Sequence, residues 1–369
     1  MENKWIDDVW KKINEKLLRL AVEKRGTIPY TTDENGKADD WAKRDIGWWT
    51  NGFWPGMMWL MYDATKNEEY RLTAENAEEL LDKAFEFYDK INHDVGFMWH
   101  LSSGSNYRLT GNERSRIRDL YAANLLAGRY NIRGGFIKAW NGDDHIGDSI
   151  IDCMMNIPLL YWASKETKDD RYKYIALSHA DKTLKHHVRE DGSIHHIVTY
   201  DHKTGEMLGS KRGQGYDVGT SWSRGQAWGV YGFTLSYMHT KEERYLETAK
   251  KIANYFISSC SDDWLPKSDF KSPKEPILYD ASAGLIAACG LIELSRIVTD
   301  DEKDLYYNAA LKLIKTIVDN FADWSDETDA IITHCSESYH AQRHLTLVYA
   351  DFFLVEAINK LKGFNTFLW

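Results

Sequence analysis

Asp152 stands in an apolar run, IIDCMMNIPLLYWA from Ile150 to Ala163, with Cys153, Met154 and Met155 directly after it. A carboxylate among apolar neighbours is costly to bury in its charged form, so it is paired, protonated or functional. Met and Leu neighbours favour the protonated form that a general acid needs. A second carboxylate, Asp94, follows His93 in INHDVGFMW. Three other stretches gather rings and polar groups. GWWTNGFWPG holds Trp48, Trp49 and Trp54, and KAWNGDDHIGDSIID holds Trp140, Asp143, Asp144 and Asp148. IHHIVTYDHKTGEMLGSKRGQGYDVGTSWSRGQAW supplies His195, His196, Arg212, Gln214, Trp222, Arg224 and Trp228. Two carboxylates on different helices, set among Trp and His, suit glycoside chemistry, where a proton donor must reach a glycosidic or enol-ether oxygen or carbon.

Each of these residues also has a plainer role open to it. Asp152 could be capped or paired with an arginine. HDVG around Asp94 is ordinary turn chemistry. Arg212 and Arg224 could clamp a carboxylate or sulfate by bidentate bonds, or pair with a neighbouring aspartate. Asp280, opening the Ala/Gly-rich DASAGLIAACGLIELSRI, reads as a helix N-cap. His195 and His196 point to opposite faces of an extended segment, so at most one faces a cleft. Two adjacent histidines without a third ligand at helical spacing do not make a metal site, and no metal or cofactor is expected. The rings of 15 Trp and 21 Tyr could be sugar platforms or core staples.

The elements that must position these residues recur in pairs. Five times an apolar helix ends in a polar knot and a more charged helix begins: YDATKNEEYRLTAENA, YRLTGNERSRIRDLYAA, WASKETKDDRYKYIALSHA, MHTKEERYLETAKKIA and IVTDDEKDLYYNAALKLI. Each knot sets Thr, Asn or Asp before an acidic first turn, which is N-cap chemistry. Adding the first amphipathic helix and a final apolar one (HLTLVYADFFLVEAINKL) gives twelve. Helices before a knot are apolar on most faces and hence buried; those after it are amphipathic. Six inner helices alternating with six outer ones predict an all-α (α/α)6 barrel in a single domain over residues 1–369. IHHIVTY is the best strand candidate. The returns from outer to inner helices are long, at about 25–47, 91–98, 132–149, 189–221, 261–279 and 324–343, and long loops gathered at one end are where sites are built. Asp152 falls in the first turn of the third inner helix, and Pro158 would lie within that helix and could kink it.

Composition narrows the partners. A net charge of −10 with no basic cluster argues against nucleic acid and anionic membranes. The N-terminal stretch is neither a signal peptide nor a membrane span, so a cytoplasmic protein is expected. Four scattered cysteines without a CxxC pair argue against structural zinc and a disulfide framework.

HDVGFMW, IIDCMMNIPLLYWAS and RGQGYDVGTSWSRGQAWGVYGF together resemble the unsaturated glucuronyl hydrolases of glycoside hydrolase family 88, with support from DASAGLIAACGLIEL and YADFFLVEAI. The likeness runs over nearly the whole chain. The resemblance implies a bacterial (α/α)6-barrel enzyme of polysaccharide catabolism. Its substrate would be a small oligosaccharide left by a lyase, with a 4,5-unsaturated uronic acid at its non-reducing end. It further implies hydration of the vinyl ether, with Asp152 as general acid and base and Asp94 as the second, substrate-positioning carboxylate. Trp48, Trp140, Trp222 and Trp228 would flank the sugar, and His196, Gln214 and Arg224 would bind its hydroxyls and carboxylate. Arg212 stands where a basic residue resembles members that prefer sulfated glycosaminoglycan disaccharides. Phe352 and Phe353 occupy a helix where relatives often carry a tyrosine, which puts a hydroxyl contact there in doubt. The rival readings are a related unsaturated rhamnogalacturonyl hydrolase, a conventional retaining or inverting glycosidase, and a non-enzymatic helical-repeat scaffold.

Overall fold

A computed structural model describes residues 2–260, 262–364 and 367–369. Ser261, at the start of the fifth predicted return, lies outside the described residues. In chain order the α-helices are α1 (Glu2–Glu23), α2 (Trp41–Arg44), α3 (Phe53–Thr65), α4 (Glu68–Leu81), α5 (Ser103–Thr110), α6 (Glu113–Gly128) and α7 (Pro158–Thr167). They continue as α8 (Asp170–His186), α9 (Ser223–Thr240), α10 (Glu243–Cys260), α11 (Ala281–Ile297), α12 (Asp300–Phe321) and α13 (Val348–Leu361). Apart from the single turn α2, these are the twelve helices that the pairing predicts among the described residues.

The joints follow a recurring local design. In four of them a threonine closes the first helix and bonds back to the carbonyl four residues earlier: Thr65 to Met61, Thr110 to Asn106, Thr167 to Ala163 and Thr240 to Ser236, all at 2.7–2.8 Å. The next residue turns left-handed (Lys66, Gly111, Lys168, Lys241), which stops the helix. Asn67, Asn112 and Asp169 then accept the first free N–H groups of α4, α6 and α8. Burial follows the predicted alternation. Helices α9, α11 and α13 are buried along nearly their whole length, whereas α4 and α10 bury one stripe.

Two compact units are distinguished within the chain, Met1–Ala122 with Val318–Cys335 and Leu345–Trp369, and Ala123–Ile317 with Ser336–His344. In the first, α3 packs on α4 and α13, and α1 on α4 and α13. Phe352 and Phe353 are fully buried and meet Phe53 at 5.2 and 5.8 Å between ring centroids. They therefore serve the core, and neither offers a hydroxyl.

In the second unit, α9 packs on α10 and α11, and α7 on α8. This unit also holds the strands. β1 (Tyr130–Asn131) and β2 (Phe136–Ile137) form a hairpin. β3 (Asp148–Ile150), β4 (Ile197–Tyr200) and β5 (Met207–Lys211) form an antiparallel sheet in the order β3-β4-β5. Ile150 pairs with Ile197, and Ile197 with Lys211. Of the expected strand IHHIVTY, the end Ile197–Tyr200 forms β4; its two partner strands are too short to show an alternating pattern.

One expectation is corrected here. Asp152 lies not in the first turn of an α-helix but in a 3-10 turn, Ile151–Met155, placed between β3 and α7. Pro158 does not kink a helix; it opens α7 at the first position, where a missing N–H costs nothing.

Candidate active site

The three-stranded sheet brings distant residues together. Ile151, one residue past β3, donates its N–H to the carbonyl of His196, one residue before β4 (3.1 Å). Asp152 and His196 therefore lie at the same end of the sheet. The carboxylate Oδ1 of Asp152 faces His196 Nε2 at 3.6 Å, with 9% of Asp152 and 6% of His196 exposed. That gap is longer than a hydrogen bond, and neither atom bonds to another described residue. The backbone carbonyl of Asp152 is held by Asn156 Nδ2 (3.3 Å).

The imidazole is fixed on its other sides. Trp222 lies against its face, with ring centroids 4.1 Å apart. The backbone N–H of Gln214 donates to His196 Nδ1 (3.0 Å). Gln214 Nε2 donates to the Glu337 carbonyl (2.7 Å), and the Gln214 carbonyl accepts from Tyr339 N (2.9 Å). Asp148, at the start of β3, is fully buried and accepts from Lys211, His145 and Thr199 at 2.7–2.8 Å. Burial works against its charge, yet these bonds hold its carboxyl below the usual range. They also tie β3 to β4 and β5.

Arg224 is 1% exposed. Its guanidinium pairs with the fully buried Asp280 and donates to the carbonyls of Ser336 and Glu337, the last at 2.8 Å. It also lies 4.6 Å over the Trp222 ring. Asp280 occupies the N-cap position of α11 without capping it; Arg224 and the Ser282 hydroxyl take its oxygens instead. Arg224 thus anchors the 336–337 backbone, which departs from a simple clamp on substrate. Trp228, one turn further along α9, is fully buried, so the expected ring face for a sugar is not exposed. Trp140 is half-buried and meets His145 edge-on at 5.3 Å. Arg212 is exposed and has no hydrogen bond or ion pair among the described residues.

His195 faces the other way from His196, as an extended segment requires. Arg189 Nη2 lies 3.1 Å from its Nδ1, and the His195 carbonyl accepts from His187 Nδ1 (2.9 Å). Burial pushes His187 down to about 3, and burial with the Arg189 guanidinium pushes His195 down to about 4. Both bases titrate below their ordinary value of 6.5, so as pH falls the unfolded chain takes up their protons first. The stability they contribute is complete above pH 6.5 and is lost as pH falls towards 4 and then 3. His187 alone is expected to cost about 1.4 kcal/mol per pH unit across that window. Thermal melts between pH 7 and 4 should show this slope, and His187→Asn, which keeps an N–H donor, should flatten part of it.

In the first unit, Asp94 follows an Asx turn in which Asn92 Oδ1 accepts its N–H (2.7 Å), and its Oδ1 lies 3.2 Å from His93 Nε2. A π-helical turn, Gly96–His100, comes directly after, and Ser102 Oγ donates to the Met98 carbonyl (2.6 Å). The 3-10 turn Trp49–Gly52 presses against it so closely that a Cβ at Gly52 would lie 2.0 Å from the Phe97 carbonyl oxygen. Trp48 is half-buried against Trp41 (4.7 Å) and Tyr30 (5.7 Å). No group of three or more His, Cys, Asp or Glu among the described residues could hold a metal ion.

A mainly helical frame with a nearly buried carboxylate set beside an imidazole and an indole belongs to a glycoside hydrolase of the (α/α)6-barrel class. The crystal structure of an unsaturated glucuronyl hydrolase from Bacillus sp. strain GL1, described as responsible for the degradation of glycosaminoglycan, superposes with a TM-score of 0.91. It is 31% identical, and the match covers 98% of this chain and 99% of that one. The chain belongs to Glycosyl Hydrolase Family 88, whose family model matches residues 22–264. Among curated relatives, it is 35% identical to the unsaturated glucuronyl hydrolase of Bacillus sp. strain GL1 over 357 residues, 93% of each chain. It is 32% identical to the unsaturated chondroitin disaccharide hydrolase of Streptococcus pneumoniae, covering 84% of this chain and 81% of the relative. No described helix is long and apolar enough to cross a membrane.

Proposed function

We propose that the protein removes the 4,5-unsaturated uronic acid from the non-reducing end of lyase-generated oligosaccharides, as one catalytic domain acting in the bacterial cytoplasm. Asp152 gives its proton to C4 of the enol ether, which leaves an oxocarbenium-like centre at C5. The same carboxylate then takes a proton from the water that attacks C5. Opening of the resulting hemiketal breaks the bond from C5 to the ring oxygen and leaves a ketone at C5. The hemiacetal at C1 then collapses and releases the partner sugar. The observation that carries this reading is the nearly buried Asp152 facing His196 beside the Trp222 ring. Asp94 is the second carboxylate by its motif, with Trp48 and Trp140 as rings for the sugar, and Gln214 and Arg224 order the loop behind His196.

The reaction destroys the conjugated enol ether, so ultraviolet absorbance of an unsaturated disaccharide should fall on adding enzyme while its saturated counterpart is unaffected. No loss with any unsaturated uronide would end this reading. Cleavage of a saturated glycoside would favour a conventional glycosidase.

Glycosaminoglycan disaccharides bearing sulfate are the proposed substrates, because Arg212 is an exposed cation without a protein partner among the described residues. Arg212→Ala is expected to raise KM for a sulfated disaccharide roughly fivefold, the scale of one exposed ion pair, and to leave the unsulfated one unchanged. Equal KM values for both substrates in both proteins would remove the sulfate preference.

A further inference from the structure

We propose that the Gly213–Gln214 turn is a tautomer lock that keeps the hydrogen of the neutral His196 ring on Nε2, aimed at Asp152. The inference rests on the proposed role of Asp152 and adds a positioning element to it. A backbone N–H can only donate, so the 3.0 Å contact from Gln214 N makes His196 Nδ1 an acceptor. A neutral imidazole that accepts at Nδ1 carries its hydrogen at Nε2.

The sheet explains why this turn can reach the ring. Ile197 pairs with Lys211, so the chain leaving β5 doubles back beside the residue preceding β4, which is His196. Gly213 is left-handed at φ 61°, and a Cβ there would lie 2.0 Å from His196 Nδ1. Any side chain at 213 would push the turn off the imidazole. The turn is held from behind by the Gln214 side chain on the Glu337 carbonyl and by Tyr339 N on the Gln214 carbonyl. Trp222 blocks one ring face. The ring therefore has little freedom to flip and exchange its nitrogens.

The chemical consequence concerns the moment after Asp152 has given up its proton. The new carboxylate faces an N–H donor, which stabilises it as an anion, rather than a basic nitrogen that would compete for the proton. His196 acts through Asp152 in this scheme, and Gly213 and Gln214 act through His196.

The test uses the full chain labelled with 15N-histidine, with the His196 signals assigned by their absence in His196→Gln. At neutral pH the wild type should show a protonated-type nitrogen at Nε2 and an unprotonated-type nitrogen at Nδ1. In Gly213→Ala the pair should move towards the averaged shifts of an unlocked ring. The same variant should lose about 10- to 100-fold in kcat, the cost of misplacing a group by about 1 Å, with a smaller change in KM. A proton on Nδ1 in the wild type overturns the lock, and so does full kcat in Gly213→Ala once its signals have averaged. The wild-type spectrum needs no active or refolded variant. A locked spectrum in a protein inactive on every unsaturated uronide would reject the proposed reaction and leave the lock standing.

Discussion

Asp152→Asn should fold normally and turn over an unsaturated disaccharide about 10²–10⁴-fold more slowly than the wild type, the range spanned by general acid–base groups. The carboxamide has nearly the shape of the carboxyl group but can neither deliver a proton to carbon nor take one from water. Little structure depends on the missing charge. Oδ1 bonds to no described residue, the nearest cation-forming group is His196 at 3.6 Å, and Asn156 holds the backbone carbonyl, which the substitution keeps. The melting temperature should therefore stay close to that of the wild type, as for substitutions that break no buried pair. Ultraviolet absorbance of the substrate measures the first expectation and circular dichroism melting the second. Wild-type turnover by Asp152→Asn would remove Asp152 from the mechanism. A large loss of stability would make it a structural carboxylate.

Arg224→Met is expected to destabilise the fold by about 3–5 kcal/mol, the cost of leaving one partner of a buried ion pair alone. Asp280 is fully buried, and among the described residues Arg224 is the cation paired with it. The carbonyls of Ser336 and Glu337 would lose their donor as well. Thermal melts read the loss, and Arg224→Met combined with Asp280→Leu should recover part of it, because two apolar groups strand no charge. A guanidinium used only to clamp substrate predicts a different outcome: unchanged melting, raised KM and no recovery in the double variant.

These two residues also mark how far sequence reasoning reaches. The joints were legible because each is encoded within a few neighbouring residues: a back-bonding threonine and a left-handed residue in four of them, and a capping side chain in three. The buried helices were legible from apolar residues on all faces. Asp152 stood out because a carboxylate inside IIDCMM needs a reason. What escaped depended on pairing across long stretches of chain. Strands of three to five residues carry no readable alternation, so the sheet joining Asp152 to His196 was invisible beyond the IHHIVTY fragment. That sheet also decides that His196 and not His195 faces Asp152. Pro158 read as a helix interior because IIDCMMNIPLLYWA is mostly apolar, and only the 3-10 turn before it shows a helix start. The partner of Arg224 could not be chosen among the chain's many carboxylates without the fold.

The shared design of the joints bears on how the molecule assembles. Each joint fixes the angle between two helices using contacts only a few residues apart, so helix pairs can form early and independently at small loop-closure cost. The environment of Asp152 has the opposite character. His196 comes from 44 residues downstream, and the Arg224 bond to the Ser336 carbonyl closes a separation of 112 residues. Contact-order reasoning puts such closures late. A refolding chain is therefore expected to regain most of its helix before the surroundings of Asp152 are in place, with chemical competence recovered after helix content.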